Sequence, residues 1–347
     1  MNYRDLSYEE LENQMREFGY PKFRAKQFFQ WIHKQPIEKM EEITVFSKKM
    51  REDLQAKGSL SLPKCVDEMQ SLIDPTRKFL FQMSDGHIVE SVAMFYQHGI
   101  SLCLSTQVGC KMGCVFCATG KEGFIRNLTP SEILGQVIMI EKILGEKSTN
   151  LVMMGSGEPL DNWDAVKAFF TIIHHPEGRG MGYRHITLST AGVVPNIYAM
   201  AESGIPVNLS VSLHQPFQEK REELMPIAKR YHLPELMKAT KNHQKKTGRR
   251  TTFEYTLIEG VNDRIEDARQ LKDLLRDQNY HLNLIPINPV DPSFKRPKQV
   301  FVRKFQKHLQ DAGVMNVTIR RELGTDISAA CGQLKQRFVA AQEEDNQ

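Results

Sequence analysis

Short apolar runs alternate with longer amphipathic segments through most of the chain after residue 100. Apolar runs bounded by turn residues predict strands, and apolar residues spaced three and four positions apart predict helices. The predicted strands are Ser101–Gln107, Asn150–Met154, His185–Thr190, Val207–His214, Thr251–Ile258, His281–Ile287 and, last, Val314–Arg320. Helices are predicted between them, among them Trp163–His174, Leu233–Thr247 and Gln299–Ala312. Six strand–helix units in series predict a parallel α/β sheet, either an open barrel or a doubly wound sheet.

The first hundred residues follow a different pattern. Ser7 and Glu10 have the spacing of a capping box, and apolar periodicity predicts helices after Ser7, over Phe23–His33 and over Ser47–Lys57. A hairpin is predicted from Lys78–Met83 and His87–Phe95. We therefore divide the chain into a helical accessory domain (1–75), a linking hairpin (76–95), a core (96–330) and a C-terminal segment (331–347).

One position interrupts the apolar face of the second hairpin arm. Ile88, Glu90, Val92 and Met94 point to the same side of a strand. A carboxylate on an apolar face is costly unless it is paired or used in chemistry. An edge strand, from which Glu90 reaches solvent, is the alternative.

Composition and charge exclude several classes of protein. Of 347 residues, 40% are hydrophobic and 25% are charged, which is typical of a globular protein. No apolar run approaches the roughly 18 residues of a membrane span, and the N-terminus lacks the apolar core of a signal peptide. Six cysteines, three of them within eight residues, do not resemble a secreted disulfide framework. We expect a cytoplasmic protein that does not associate with membranes.

The net charge of +4 is unevenly distributed. The segment Glu219–Arg250, here called the basic stretch, holds ten Lys or Arg residues against four Glu. A solvated helical face and a polyanion-binding surface both explain such a stretch. The N-terminal helices also carry cations that could contact a nucleic-acid backbone.

The strongest chemical signal is the triplet Cys110, Cys114 and Cys117, with the spacing C-x3-C-x2-C. Three thiolates on a short loop suit an iron–sulfur cluster, whose usual complement is four cysteines. Structural zinc takes four protein ligands, and no partner pair of cysteines or histidines follows. Three unrelated buried cysteines are the remaining alternative. This spacing, with Phe116 inside it, resembles the radical S-adenosylmethionine (SAM) superfamily, in which the open iron binds SAM.

Polar residues follow several predicted strands at the edge where α/β sheets place their active sites. Gly155-Ser156-Gly157-Glu158 follows the second strand, and its glycines allow close approach of a ligand. Ser189-Thr190, Ser212-Leu213-His214 and Asn288 end later strands. Together they suit hydrogen bonding to ribose and adenine, and Glu158 suits the ammonium group of SAM.

The chain from about Tyr8 to Leu334 resembles the radical SAM RNA methyltransferases that methylate an adenine ring carbon, the RlmN enzymes and their Cfr relatives. The matching stretches include Cys103–Cys117, Gly157-Glu158-Pro159, Ser212-Leu213-His214, Leu224-Met225-Pro226-Ile227 and Ala329-Ala330-Cys331-Gly332-Gln333-Leu334. This resemblance implies a partial (βα)6 radical SAM barrel with a small N-terminal helical domain.

Site residues and cofactors are likewise implied by the resemblance. Cys331 would carry the methyl group, Cys103 would be its partner thiol in a disulfide, and Glu90 would accept a proton. The cofactors would be a 4Fe-4S cluster on the triplet and two molecules of SAM per turnover. The residues implied for SAM are Gly157, Glu158, Ser189, Ser212, Leu213, His214 and Asn288.

The implied reaction is methylation of carbon 2 of an adenine in large-subunit rRNA, with tRNA open as a second substrate. A monomer that receives electrons from a donor such as flavodoxin or ferredoxin is expected. Thr106-Gln107-Val108 and Glu158-Pro159 favour carbon 2 over the carbon 8 of the Cfr relatives. Departures from the RlmN pattern at Ser156, Gln215, Ala228 and Ser328 leave a paralogue with another RNA target open. A radical SAM enzyme acting on a small molecule would not need Cys103 and Cys331, and a non-catalytic RNA-binding protein would not need the triplet.

Overall fold

Three helices precede the sheet in the computed structural model, which describes residues 1–330, 332 and 333. They are α1 (Tyr8–Glu17), α2 (Lys22–Lys34) and α3 (Lys48–Lys57). The predicted capping box is confirmed, because Ser7 Oγ accepts the N–H of Glu10 and the Glu10 carboxylate accepts the N–H of Ser7. Phe28 and Ile32 of α2 are buried, as the apolar periodicity predicted.

An antiparallel meander follows these helices: β1 (Lys64–Gln70), β2 (Arg77–Gln82) and β3 (Ile88–Tyr96). The predicted hairpin corresponds to β2 and β3 and is confirmed. Strand β1 was not predicted, and it lies in the segment assigned from sequence to the helical domain. It is the edge strand and stays largely accessible, so its sequence lacks the apolar alternation that would have revealed it.

The remaining strands of the main sheet are parallel to one another. They are β4 (Gly99–Cys103), β7 (Asn150–Met153), β8 (Ile186–Thr190), β9 (Asn208–Ser212), β10 (Thr251–Leu257), β11 (Tyr280–Pro286) and β12 (Val317–Ile319). A separate ribbon is formed by β5 (Gln107–Gly109) and β6 (Phe124–Asn127). The helices between the strands are α4 (Ala118–Glu122), α5 (Pro130–Leu144), α6 (Trp163–His174), α7 (Val194–Glu202), α8 (Gln218–Leu224), α9 (Leu233–Thr247), α10 (Ile265–Leu275) and α11 (Gln299–Ala312).

Strand order decides between the two sheet types that the sequence left open. In the described part of the chain the order is β1-β2-β3-β4-β7-β8-β9-β10-β11-β12, with no reversal among the parallel strands. A doubly wound sheet reverses its order at a switch point, whereas consecutive order with right-handed crossovers places every helix on one face. The sheet curls, because Val92 and Cys103 near one end line the same cavity as Ile285 near the other. The fold is therefore an open α/β barrel.

The helices α1 to α3 and the residues before them, here called the helical module, pack on the outside of this barrel, against α5 and α6. The Asp5 carboxylate accepts the N–H of Ser131 at the start of α5, and Tyr8 stacks on His175 just after α6. None of the helices in the described residues has the length and apolar character needed to cross a membrane.

Candidate active site

The three cysteines of the triplet lie on the loop after β5 and face a common cavity. The N–H of Cys110 donates to the carbonyl of Gly123 at 2.8 Å, and the N–H of Val115 donates to the carbonyl of Leu224 at 3.1 Å. These bonds fasten the loop to β6 on one side and to the end of α8 on the other. A cavity of about 170 Å³, here called the larger cavity, is lined by Cys110, Cys114 and Cys117.

The chemistry of these thiols fits an iron–sulfur cluster. Burial raises the pKa of Cys110 to about 12 and raises that of Cys114 further, and the neighbouring cysteines and Glu158 add to both effects. Three thiolates in so buried a place are costly unless cations bind them, and iron supplies those cations. A cluster spreads its cysteines over separate irons, so the donor set fits a cluster held by three cysteines.

Polar residues from successive strand ends line the larger cavity together with the cysteines. The predicted SAM residues that do so are Gly157, Glu158, Ser189, Ser212, His214 and Asn288. Thr190, which the sequence analysis named beside Ser189, lines it as well. Glu254 and Thr256 also line it, although the sequence reasoning did not single them out. The barrel therefore brings strand ends more than a hundred residues apart to one place beside the triplet.

Glu158 is fully buried and held by backbone groups. Its Oε1 accepts the N–H of Leu160 at 3.0 Å, and its Oε2 accepts the N–H of Ala191 at 2.7 Å. Burial raises the pKa of Glu158 to about 7, against the opposing effect of these hydrogen bonds. The carboxylate is thus fixed at the cavity wall, where an ammonium group would stabilise its charge.

His214 contributes a buried imidazole to the wall of the larger cavity. It adopts a positive φ of 55°, which turns the chain away from β9, and its ring packs edge-on against Phe116 at 4.8 Å. The backbone N–H of Thr256 donates to its Nδ1. Burial is the main cause that lowers the pKa of His214 to about 3, so the ring is neutral.

Leu213 differs from the other predicted SAM residues, because it does not line the cavity. Its side chain is in the hydrophobic core, and its N–H donates to the carbonyl of Glu254. Its carbonyl accepts from Nε of the buried Arg221, which also donates to the carbonyls of Ala191 and Ser212. Both backbone polar groups of Leu213 are therefore engaged within the protein, between Ser212 and His214, which line the cavity.

The glycines after β7 serve the protein's own packing. A Cβ at Gly155 would lie 2.7 Å from the carbonyl of Leu104, and one at Gly157 would lie 2.6 Å from Cβ of Gln107. Gly157 also has a φ of +105°, a conformation that favours glycine. The sequence reasoning expected these glycines to let a ligand approach, whereas the close approach is made by the segment after β4.

Cys103 lies at the end of β4 and lines a second, narrower cavity of about 40 Å³, here called the smaller cavity. Val92, Met94, Leu323, Ala329 and Ala330 contribute to its wall. The two cavities adjoin, since Met154, Asn288 and Arg320 line both. A group held in the smaller cavity would therefore be next to one held by the triplet.

Glu90 is buried within β3 and is paired with Lys78 of β2. Nζ of Lys78 is 3.5 Å from Oε1 of Glu90, and both side chains are only 2–3% exposed. The edge-strand alternative is wrong, because β3 lies between β2 and β4. Strand register places Lys78 opposite Val92, and Val92 opposite Cys103. Lys78, Glu90 and Cys103 therefore share the face of the sheet that borders the smaller cavity.

Cys331, the predicted methyl carrier, lies outside the described residues, as does the segment 334–347. Its two neighbours are described. Ala330 lines the smaller cavity with Cys103, whereas Gly332 lines the larger cavity with the triplet. The carbonyl of Gly332 also accepts the N–H of Ala118, the residue after Cys117, at 2.7 Å. The residues on either side of position 331 thus line different cavities, Ala330 the smaller one and Gly332 the larger one.

The basic stretch is divided between two edges of the barrel. Lys220, Lys229 and Arg230 follow β9, at the edge that carries the cavities. Helix α9 then runs to the opposite edge, where Lys246 pairs with Glu202 and Arg249 donates to Asn208 at the start of β9. Among the cations of the helical module, Lys22, Lys26 and Lys48 lie in ion pairs with Glu12, Glu177 and Glu52.

Comparison with protein-family models gives two matches. Residues 104–272 match the model described as the radical SAM superfamily. Residues 1–59 match the model described as the ribosomal RNA large subunit methyltransferase N-terminal domain. Both matches agree with the position of the triplet and of the helical module.

Curated relatives and a solved structure resemble the chain over nearly its whole length. A protein of Alkaliphilus oremlandii named as a probable dual-specificity RNA methyltransferase RlmN is 46% identical, over 96% of this chain and 97% of the relative. A protein of the same name from Thermoanaerobacter sp. is 47% identical over 97% and 98%. The crystal structure of a radical SAM methyltransferase from Sphaerobacter thermophilus superposes with a TM-score of 0.91 at 42% identity, covering 96% of this chain and 98% of that one.

Proposed function

Because this chain belongs to the RlmN family of radical SAM RNA methyltransferases, we propose that it methylates carbon 2 of an adenine in RNA. It is accordingly a SAM-dependent methyltransferase of the radical SAM type. Methylation at carbon 2 and the reaction steps below are proposals that go beyond what membership of the family shows. The observation that carries them is that Cys103 and the triplet line two adjoining cavities with shared walls.

The residues that would hold the cofactors all line the larger cavity. Cys110, Cys114 and Cys117 would bind the 4Fe-4S cluster. The residues that would surround SAM are those at the strand ends: Gly157, Glu158, Ser189, Ser212, His214 and Asn288. When bound, these groups supply a one-electron cleavage of SAM that yields a deoxyadenosyl radical, and the cluster can also accept an electron later in the turnover. Each turnover uses two SAM molecules, one as the methyl source and one as the radical source.

A cysteine is needed as methyl carrier because the target carbon is a poor nucleophile. Carbon 2 of adenine lies between two ring nitrogens and does not attack the methyl group of SAM, whereas a thiolate does. Cys331 would therefore take the methyl group by substitution and would then lose one hydrogen atom from it. The methylene so formed would join Cys331 to the adenine as a covalent adduct.

Glu90 and Cys103 would then release the product. After the adduct has lost its odd electron, Glu90 would take the proton from carbon 2. The Cys103 thiolate would attack Sγ of Cys331, so that the bond between that sulfur and the methylene breaks and a disulfide forms. The electron pair left on the methylene would take up a proton and complete the methyl group. A two-electron reductant must then restore both thiols.

The choice of carbon 2 rests on two short stretches of sequence. Thr106-Gln107-Val108 and Glu158-Pro159 are similar to the RlmN branch, whereas the carbon 8 enzymes differ there. Gln107 has a defined structural role, because its side chain accepts the N–H of Glu158 at 2.8 Å. Carbon 8 methylation is the second candidate.

The proposed substrate is large-subunit rRNA, with tRNA as a second RNA to be tested. We propose that the N-terminal accessory domain (residues 1–75), which contains the helical module, and the cations after β9 contact the RNA phosphates. The enzyme would act as a monomer and receive electrons from a flavodoxin or ferredoxin.

The test is mass spectrometry of nucleosides from rRNA and tRNA of a strain that lacks this protein. We expect loss of 2-methyladenosine, with recovery on expression of the wild-type chain but not of Cys331→Ala. Loss of 8-methyladenosine instead would favour the second candidate. Unchanged nucleosides in both RNAs would contradict the proposal.

A further inference from the structure

Lys78 is a buried charge that no step described so far uses. Its side chain is 2% exposed, and its ammonium is 3.5 Å from the Glu90 carboxylate. The resemblance to the RlmN and Cfr enzymes implies no role for Lys78. Its neighbour Arg77 contrasts with it, because Arg77 points to the other face of β2 and pairs with Glu68 at the accessible edge.

We propose that Lys78 is a positioning residue, which holds Glu90 as an aimed carboxylate for the removal of the proton from the adduct. This inference rests on the proposed function, in which Glu90 is the base. It adds a second residue to that step, which acts through Glu90 and not on the RNA.

Strand geometry brings the two side chains together. Lys78 is opposite Val92 in the β2–β3 register, and Glu90 is two residues away on the same face, so the two side chains meet diagonally. The hydroxyl of Ser105 donates to the carbonyl of Glu90 at 2.6 Å, which fixes the backbone from the other side. The backbone of Glu90 is thus fixed where its carboxylate reaches the Lys78 ammonium. A proton acceptor must be held within hydrogen-bonding reach of its target.

Stability alone gives no reason to place an ion pair here. Burial of two charges costs desolvation energy, and replacing a buried pair by apolar residues is often neutral or stabilising. The flanking residues Phe79, Leu80, Val89 and Val92 are apolar and buried, so the local sheet accepts such residues. The pair also lies on the face that borders the smaller cavity with Cys103.

The step is a simple proton transfer. After the adduct has lost its odd electron, the bond between carbon 2 and its hydrogen breaks. The proton moves to a carboxylate oxygen of Glu90, and the electron pair returns to the adenine ring. The ammonium of Lys78 neither gains nor loses a proton and keeps the carboxylate oriented.

The experiment follows one turnover of the holoenzyme with the target RNA. Formation and decay of the covalent adduct on Cys331 are measured by nuclease digestion and mass analysis. The cluster content and the S-methylation of Cys331 are measured in the same samples. The variants are Lys78→Met, Lys78→Arg, Glu90→Gln and the double variant Lys78→Met/Glu90→Gln. Arg77→Met is the matched control, since it breaks an ion pair on the same strand at the opposite face.

We expect Lys78→Met to bind the cluster, methylate Cys331 and form the adduct, but to resolve the adduct at least about tenfold more slowly, as for a misplaced base. Lys78→Arg should recover most of the rate, and Arg77→Met should behave as wild type. In the Glu90→Gln background, Lys78→Met should slow the resolution of the adduct little further, because both changes remove the same function.

Resolution at the wild-type rate in Lys78→Met would overturn the proposal, and so would an additive loss in the double variant. If Lys78→Met does not fold, Lys78→Gln replaces it and is judged by the same rate. The proposed function is tested separately by Cys103→Ala, which must accumulate the adduct in this assay. An absence of adduct there would refute the chemistry, whatever Lys78 does.

Discussion

The backbone N–H of Thr256 donates to Nδ1 of His214 across 2.9 Å. An amide nitrogen can only donate, so Nδ1 must accept, and the proton of the neutral imidazole is on Nε2. The low pKa of His214, about 3, keeps the ring neutral in the physiological range. The larger cavity is therefore lined by an imidazole with one fixed tautomer and a single N–H donor.

Replacing His214 should weaken SAM binding and leave the cluster in place. His214→Asn suits the test because Asn tolerates the positive φ of this position better than most residues. Loss of one positioned hydrogen bond predicts an affinity for SAM lower by up to about tenfold. Calorimetric titration of SAM into reconstituted protein measures it, with iron content as the control. An unchanged dissociation constant for SAM would show that His214 does not bind SAM.

Cluster binding should depend on each cysteine of the triplet. We expect Cys110→Ala, Cys114→Ala or Cys117→Ala to abolish the brown colour, the iron content and the cleavage of SAM, because three ligands leave none to spare. Cys65→Ala is the matched control, a free cysteine of β1 outside both cavities. Full iron and cleavage activity in Cys114→Ala would refute the cluster assignment.

The two remaining thiols should fail at different steps. Cys331→Ala should bind cluster and RNA but form neither adduct nor methyladenosine, since it has no methyl carrier. Cys103→Ala should stall later, with RNA attached to Cys331, because no thiolate resolves the adduct. Nuclease digestion followed by mass analysis distinguishes the two. A wild-type yield of free methyladenosine from Cys103→Ala would show that Cys103 is not the resolving thiol.

RNA affinity should depend on only one half of the basic stretch. We expect Lys229→Gln/Arg230→Gln to weaken RNA binding and to lower its salt dependence, because each phosphate contact releases counterions. Lys245→Gln/Lys246→Gln is the matched control, with the same charge change at the edge opposite the cavities. Binding isotherms between about 50 and 200 mM salt provide the measurement. Equal losses in both pairs would argue for a non-specific charge effect.

His243 should make the protein sensitive to acid. It is buried in α9, neither ring nitrogen has a hydrogen-bond partner in the described part of the chain, and burial lowers its pKa to about 4. Between pH 6.5 and 4 the unfolded chain therefore binds a proton that the folded chain does not, and stability falls as the pH falls. At pH 5 this amounts to about 2 kcal/mol.

His243→Leu should remove that part of the acid sensitivity. Urea unfolding of both proteins at pH 7 and pH 5, in the same cluster state, gives the comparison. We expect the decrease in unfolding free energy to be smaller by about 2 kcal/mol in the variant. Equal decreases in the two proteins would mean that His243 is already protonated in the folded state.

Much of this protein is determined locally in its sequence. The triplet can be recognised because its three cysteines lie on one loop, and their spacing alone limits the metal chemistry. Glu90 was noticeable as a carboxylate on an apolar strand face, and the series of strands and helices predicted the parallel sheet. Such features depend on residues close together in the chain, so they need no knowledge of the packing.

Tertiary structure decided what depends on strand order and register. The pairing of Lys78 with Glu90 requires the β2–β3 register, and a shift by one residue would turn one of the two to the other face. The core position of Leu213 and the division of the basic stretch follow from how β9 and α9 are placed in the barrel. Contacts of this kind are chosen by the packing of the whole sheet, which local periodicity does not contain.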